Sequence, residues 1–128
     1  MASRPIQVGI SIIPDTGSLD RSRELVRVAD EGGLAFVGVQ DHPYQHHFFD
    51  TWSLIPTLLA ETKRISFFTD VASLPLRPPA VMAKAAASLD VLSGGRLRAR
   101  PGWRRTAGAD RELRRPEAHT GRDRRGDR

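Results

Sequence analysis

Three times in succession this chain runs a short apolar stretch into a polar loop and then into an amphipathic segment with a turn behind it. That rhythm leaves few folds open. Ile6, Val8, Ile10 and Ile12 alternate with Gln7, Gly9 and Ser11, the period of a strand with two unlike faces. Pro14 to Gly17 punctuates it, and Leu25, Val28 and Ala29 then recur at helical spacing across Leu19–Asp30, with Arg21, Arg23, Glu24 and Arg27 on the wet side. Gly32 and Gly33 follow where a helix prefers a left-handed residue. The near-continuous apolar run Leu34–Val39 suits a strand covered on both faces. Asp50 or Thr51 is placed to cap a second helix through Leu54, Ile55, Leu58 and Leu59 to about Lys63. Ile65–Thr69 reads as a third strand. Pro79 stands in the first turn of a third helix, Ala80–Leu92, closed by Ser93, Gly94 and Gly95. Three βα units in a row predict an α/β fold with a parallel sheet and crossovers of one hand.

In such a fold every loop that follows a strand lies at the same end of the sheet. Pro14–Gly17, Gln40–Phe49 and Asp70–Pro79 are therefore expected to share a face, and they are the longest and most polar loops of the chain. Chemistry is expected there.

The pattern breaks after Leu97. Residues 98–128 carry eleven arginines against five acidic side chains, while the first 97 residues carry nine basic against ten acidic ones, so the formal net charge of +5 belongs to the tail. Trp103 is the tail's only aromatic residue, and no helical period runs through it. A nucleic-acid arm would interleave aromatic rings with its arginines to stack bases, which argues against nucleic acid as a partner. The 128 residues contain no cysteine, which fits a reducing cytoplasm and excludes disulfides and thiolate metal sites. No apolar run has the length of a membrane span, and MASRPIQVGI has no secretory apolar region, so the expected location is cytoplasmic, without a membrane.

The strongest candidate for chemistry is Gln40-Asp41-His42-Pro43-Tyr44-Gln45-His46-His47. His42 stands just past the second strand, where an imidazole can bond a cofactor or move a proton near neutral pH. It can equally be bonded to a neighbouring carbonyl. A metal site of His42, His46, His47 and Asp50 is the weaker reading, because Pro43 breaks the helix that would bring His42 and His46 onto one face; no metal is expected. The stiff, Pro-rich Asp70–Pro79 loop is the second candidate. Trp52 is read as packing, and Lys84 and Asp90 as the wet side of the third helix. No glycine-rich phosphate loop is present.

VGISI, the helix ending EGG, VGVQDHP and, above all, LPLRPPAVMAKAAASLDVLSGGR resemble the start of the luciferase-like oxidoreductases, over about residues 5–97. The resemblance implies the first three βα units of a TIM (β/α)8 barrel. It implies an enzyme that uses F420 (first choice) or FMN for hydride or oxygen transfer on a small-molecule substrate, in a parent protein that forms a homodimer. It assigns His42 a catalytic and cofactor-binding role over the ring. It places the cofactor against the Asp70–Val71 backbone, through a cis peptide bond between those residues. Where the family continues from GGR into ELGLG, this chain has Arg98-Ala99-Arg100-Pro101-Gly102-Trp103-Arg104. Codons read one base later permit ELGLGGG there, and GGP(K/R)RTPGE across Arg114–Arg122. The expectation is therefore that residues 1–97 are the N-terminal portion of the barrel and 98–128 a disordered, frameshifted tail, the product being a truncated and inactive fragment. The competing class is a small α/β module whose arginine-rich arm binds nucleic acid or another acidic partner.

Overall fold

A computed structural model of the chain describes residues 6–98 and the backbone of 101–102. Its centre is a four-stranded, all-parallel sheet in the order β1 (Gly9–Ile12), β2 (Phe36–Val39), β3 (Ser66–Thr69), β5 (Leu97–Arg98). Helices α1 (Leu19–Glu31), α2 (Thr51–Glu61) and α3 (Pro79–Leu92) fill the connections. A two-residue strand, β4 (Ala72–Ser73), pairs in parallel with β6 (Pro101–Gly102), beyond the β3–β5 pairing. These short pairings include Arg98 and the backbone of 101–102; the rest of the tail expected from sequence to be disordered and frameshifted, residues 99–100 and 103–128, lies outside the described residues.

Period 2 sorts the strands onto two unlike faces. Ile12, Val37, Val39, Phe67 and Leu97 are buried, and they pack with Val26 and Ala29 of α1, Leu54, Ile55, Leu58 and Leu59 of α2, and Ala86 and Leu89 of α3. All three helices therefore cover the same side, as crossovers of one hand require. Register puts Gly9 beside Phe36 and Ser66, and Ser11 beside Gly38, Phe68 and Arg98, on the opposite side. There the Phe36 and Phe68 rings meet edge to face, with centroids 5.5 Å apart. Trp52 packs against the helix-side core, as its reading predicts, although its Nε1 is buried without a hydrogen-bond partner among the described residues.

The first helix ends as its glycines suggest. Gly33 has φ +79°, its N–H donates to Asp30 O, and Leu34 N–H donates to Ala29 O, the paired bonds of a Schellman turn. The first strand begins later than Ile6 because Gly9 is the first residue with a ladder partner; Ile6 is left 92% exposed. Two polar side chains fasten the end of the sheet where the strands begin. Asp30, buried at the end of α1, accepts from the backbone N–H groups of Lys63 (2.9 Å), Arg64 (2.9 Å) and Ile65 (2.8 Å). Burial alone would raise its carboxyl; the three amides and the Arg64 charge together hold it below the ordinary aspartate value. Arg96 donates to Leu59 O (2.8 Å), Thr62 Oγ1 (3.0 Å) and Ser93 O (3.0 Å), drawing the ends of α2 and α3 together. Among the described residues no helix is long and apolar enough to cross a membrane.

Candidate active site

The three loops that follow β1, β2 and β3 meet at one end of the sheet and are bonded to each other. Thr16 N–H donates to His47 O at 2.9 Å and Phe49 N–H to Pro14 O at 2.7 Å, joining the first loop to the second. Thr51, at the start of α2 and 1% exposed, donates its hydroxyl to Gln40 O and so fixes the second loop at both its ends. The second and third loops are joined through Asp41. This carboxylate is 2% exposed; Oδ2 accepts from Ser73 N–H at 2.9 Å, and Arg77 grips both oxygens, Nη2 to Oδ1 at 2.7 Å and Nε to Oδ2 at 3.2 Å. Arg77 Nη2 also reaches Asp50 Oδ1 at 2.5 Å, at the residue that precedes α2. A planar guanidinium is the side chain suited to such a fork, since its donors diverge at fixed angles.

The charges in this bracket tune one another. Burial would raise the Asp50 carboxyl, but hydrogen bonds from Arg77 and Ser53 outweigh it and hold the group below its ordinary value. Burial would likewise discharge Arg77, and its two carboxylate partners reverse that, raising its pKa.

His42 follows Asp41 directly and is half-buried. Its Nδ1 lies 2.8 Å from the Tyr44 hydroxyl, and the Tyr44 and Phe48 rings stand 5.5 and 6.2 Å from the imidazole. Among the described residues the hydrogen bond recorded for the ring is the one at Nδ1. His46 and His47 stack edge to face at 5.1 Å, both exposed, and no metal-holding group of three His, Asp or Glu occurs among the described residues. The Asp70–Val71 bond is cis, and β2 and β3 are register neighbours up to Val39 and Thr69. Residues 70–73 and His42 therefore leave adjacent strand ends, and Asp41 ties them through Ser73.

Sequence reasoning placed roles on His42, Asp70 and Val71; it weighed Asp50 only as a helix cap or metal ligand, and gave Asp41, Tyr44 and Arg77 no role of their own. A signal existed for two of them. Asp41 is the first charge after a strand that reads as wholly buried, and Arg77 is the one basic residue in the Asp70–Pro79 loop. Each needs a partner of opposite sign to be tolerated there.

The model of a family described as luciferase-like monooxygenase matches residues 5–100. Among curated relatives, pyrimidine monooxygenase RutA of Escherichia coli O7:K1 is 41% identical over 51 residues, which is 40% of this chain and 15% of the relative. Among solved structures, the coenzyme F420-dependent tetrahydromethanopterin reductase of Methanopyrus kandleri superposes with a TM-score of 0.65 at 23% identity, over 73% of this chain and 26% of that one. The FMN complex of the oxygenating constituent of 3,6-diketocamphane monooxygenase from Pseudomonas putida gives 0.71 at 21% identity, over 83% of this chain and 32% of the other. These likenesses establish the fold, and the chain spans well under half the length of each of these proteins.

Proposed function

Because this chain belongs to the luciferase-like monooxygenase family, we propose that it is the part of an F420-dependent oxidoreductase that holds one side of the deazaflavin, with FMN as the alternative occupant. The observation that carries the reading is His42, half-buried just past the carboxyl end of β2, its ring bonded through Nδ1, with the 70–73 backbone leaving the adjacent end of β3. The donor set suits a flat heteroaromatic ring with carbonyl acceptors: one imidazole nitrogen at its edge and main-chain groups of Asp70 and Val71 against its face. When bound, such a cofactor supplies the hydride or oxygen chemistry that no side chain here can supply. His42 would then orient the ring and hold or move a proton at Nε2. The Asp41–Arg77–Asp50 bracket keeps the two loops in register so that neither the imidazole nor the 70–73 backbone drifts from the other.

The test is to titrate the full chain with F420 and with FMN separately, by fluorescence or equilibrium dialysis. F420 is expected to bind more tightly than FMN, and His42→Ala to weaken binding about tenfold, the loss of one hydrogen bond of about 1.4 kcal/mol. No binding of either cofactor at millimolar concentration, or equal binding by His42→Ala, overturns the reading.

A further inference from the structure

The residues around His42 do more than expose it. Gln45 N–H donates to His42 O at 2.9 Å and Phe48 N–H to Gln45 O at 3.0 Å, so the chain turns twice within 42–48. Those turns carry Tyr44 back over the imidazole, where its hydroxyl meets Nδ1 at 2.8 Å. In a buried or half-buried histidine, the partner of one ring nitrogen decides which tautomer the other presents. A carboxylate at Nδ1 would hold the Nδ1–H form, but among the described residues the recorded partner of Nδ1 is the Tyr44 hydroxyl, and three of the nearby carboxylates are engaged elsewhere. Asp41 is taken by Ser73 and Arg77, Asp50 by Arg77 and Ser53, and Asp15 by Gly17 N–H. The phenol is the partner that Nδ1 has among the described residues. A neutral phenol can give or accept, but its oxygen lone pair is delocalised into the ring, so it is the better donor.

We propose that Tyr44 is a positioning residue that donates its O–H to His42 Nδ1, holding the imidazole in the Nε2–H tautomer and presenting that N–H to a carbonyl acceptor on the ligand. The nature of the ligand rests on the cofactor reading above; the tautomer does not. Aromatic contacts from Tyr44 and Phe48 fix the ring plane, and the hydrogen bond fixes which atom carries the proton. His42 thereby meets a ligand as a donor, not as a base.

The experiment is nitrogen NMR on the full chain with ¹⁵N-labelled histidine, at a pH where the imidazoles are neutral. His42 is assigned by the signals lost in His42→Gln. In the wild type, Nδ1 is expected to be pyridine-like and displaced by an incoming hydrogen bond, with Nε2 pyrrole-like. In Tyr44→Phe, which keeps the ring, Nδ1 is expected to shift to the value of an unbonded acceptor. A pyrrole-like Nδ1 in the wild type overturns the proposal by itself, whether or not the variant folds, and so does an unmoved Nδ1 in a folded Tyr44→Phe. Adding F420 or FMN to the same wild-type sample tests the other reading separately. If Nδ1 behaves as expected while Nε2 ignores both cofactors, Tyr44 keeps its role and the cofactor assignment fails.

Discussion

Replacing Arg77 by alanine removes the only cation among the described residues that touches the buried carboxylate of Asp41. In the native chain that carboxylate has a 1% exposed side chain and three donors, one from Ser73 and two from the guanidinium. After the substitution one backbone amide remains to hold a full negative charge away from water. Breaking a buried pair from one side costs about 3–5 kcal/mol, because the survivor's desolvation is no longer offset. The second pair, to Asp50, adds little, since that side chain is 43% exposed and its field is screened. Against a total stability on the order of 5–15 kcal/mol this is about a fifth or more. With a urea dependence of about 2 kcal/mol per molar, the unfolding midpoint should fall by roughly 2 M. Arg77→Lys should recover only part of the loss, as an ammonium cannot grip both carboxylate oxygens in one plane. A double-mutant cycle with Asp41→Ala should give a coupling of about 2–3 kcal/mol. A midpoint for Arg77→Ala within about 0.5 M of wild type, or a coupling near zero, refutes the bracket as an energetic unit.

Acid should act through Asp30 and Asp50, whose folded carboxyls titrate below the ordinary value near pH 4. A depressed carboxyl contributes stability that is complete above the unfolded pKa and is lost as pH falls through the folded one. Unfolding free energy, measured from pH 6 down to pH 2, is therefore expected to decline below about pH 4, and Asp30→Asn to flatten that decline; an unchanged slope in the variant contradicts the assignment. On the helix-free side of the sheet, a Cβ at Gly9 would lie 2.2 Å from both the Phe36 ring and the Phe36 carbonyl oxygen, whereas one at Gly38 would meet the Phe68 ring at 3.0 Å. Thermal melts should show Gly9→Ala costing about 1–3 kcal/mol, with Gly38→Ala milder because a ring edge can move and a backbone oxygen cannot.

What could be read in the sequence was whatever depends on near neighbours. Ile10 and Ile12, or Leu54, Ile55, Leu58 and Leu59, announce their element by spacing alone, because one periodic face must meet one core. The sharing of one end by three loops followed from the order of elements, and the bonds from Thr16 to His47 and from Ser73 to Asp41 bear it out. What stayed hidden spans distances of thirty residues or more: Asp30 to Lys63–Ile65, Arg96 to Leu59, Arg77 to Asp41. No local pattern encodes such a meeting, since the partners come together only after the helices have packed. The 3-10 turns at Thr16–Ser18 and Leu74–Leu76 and the two-residue β4 were likewise invisible, being too short to carry a period.

The Asp30 and Arg96 fastenings take hold of main-chain atoms almost exclusively, and that has a consequence for how this sequence can drift. A carbonyl or amide is the same whichever side chain stands beside it. Lys63, for instance, has an exposed side chain and lends Asp30 only its N–H, so exchange for most residues other than proline leaves the clasp intact. The freedom to vary is therefore unequal across the joint: Lys63 is nearly unconstrained in chemistry, while Asp30 and Arg96 each have few substitutes. A mutational scan of 62–65 should consequently register a backbone demand at Lys63 and side-chain demands at Thr62, Arg64 and Ile65: the Thr62 hydroxyl and the Ile65 chain are buried and used, and the Arg64 guanidinium donates to Asp30 O at 2.6 Å.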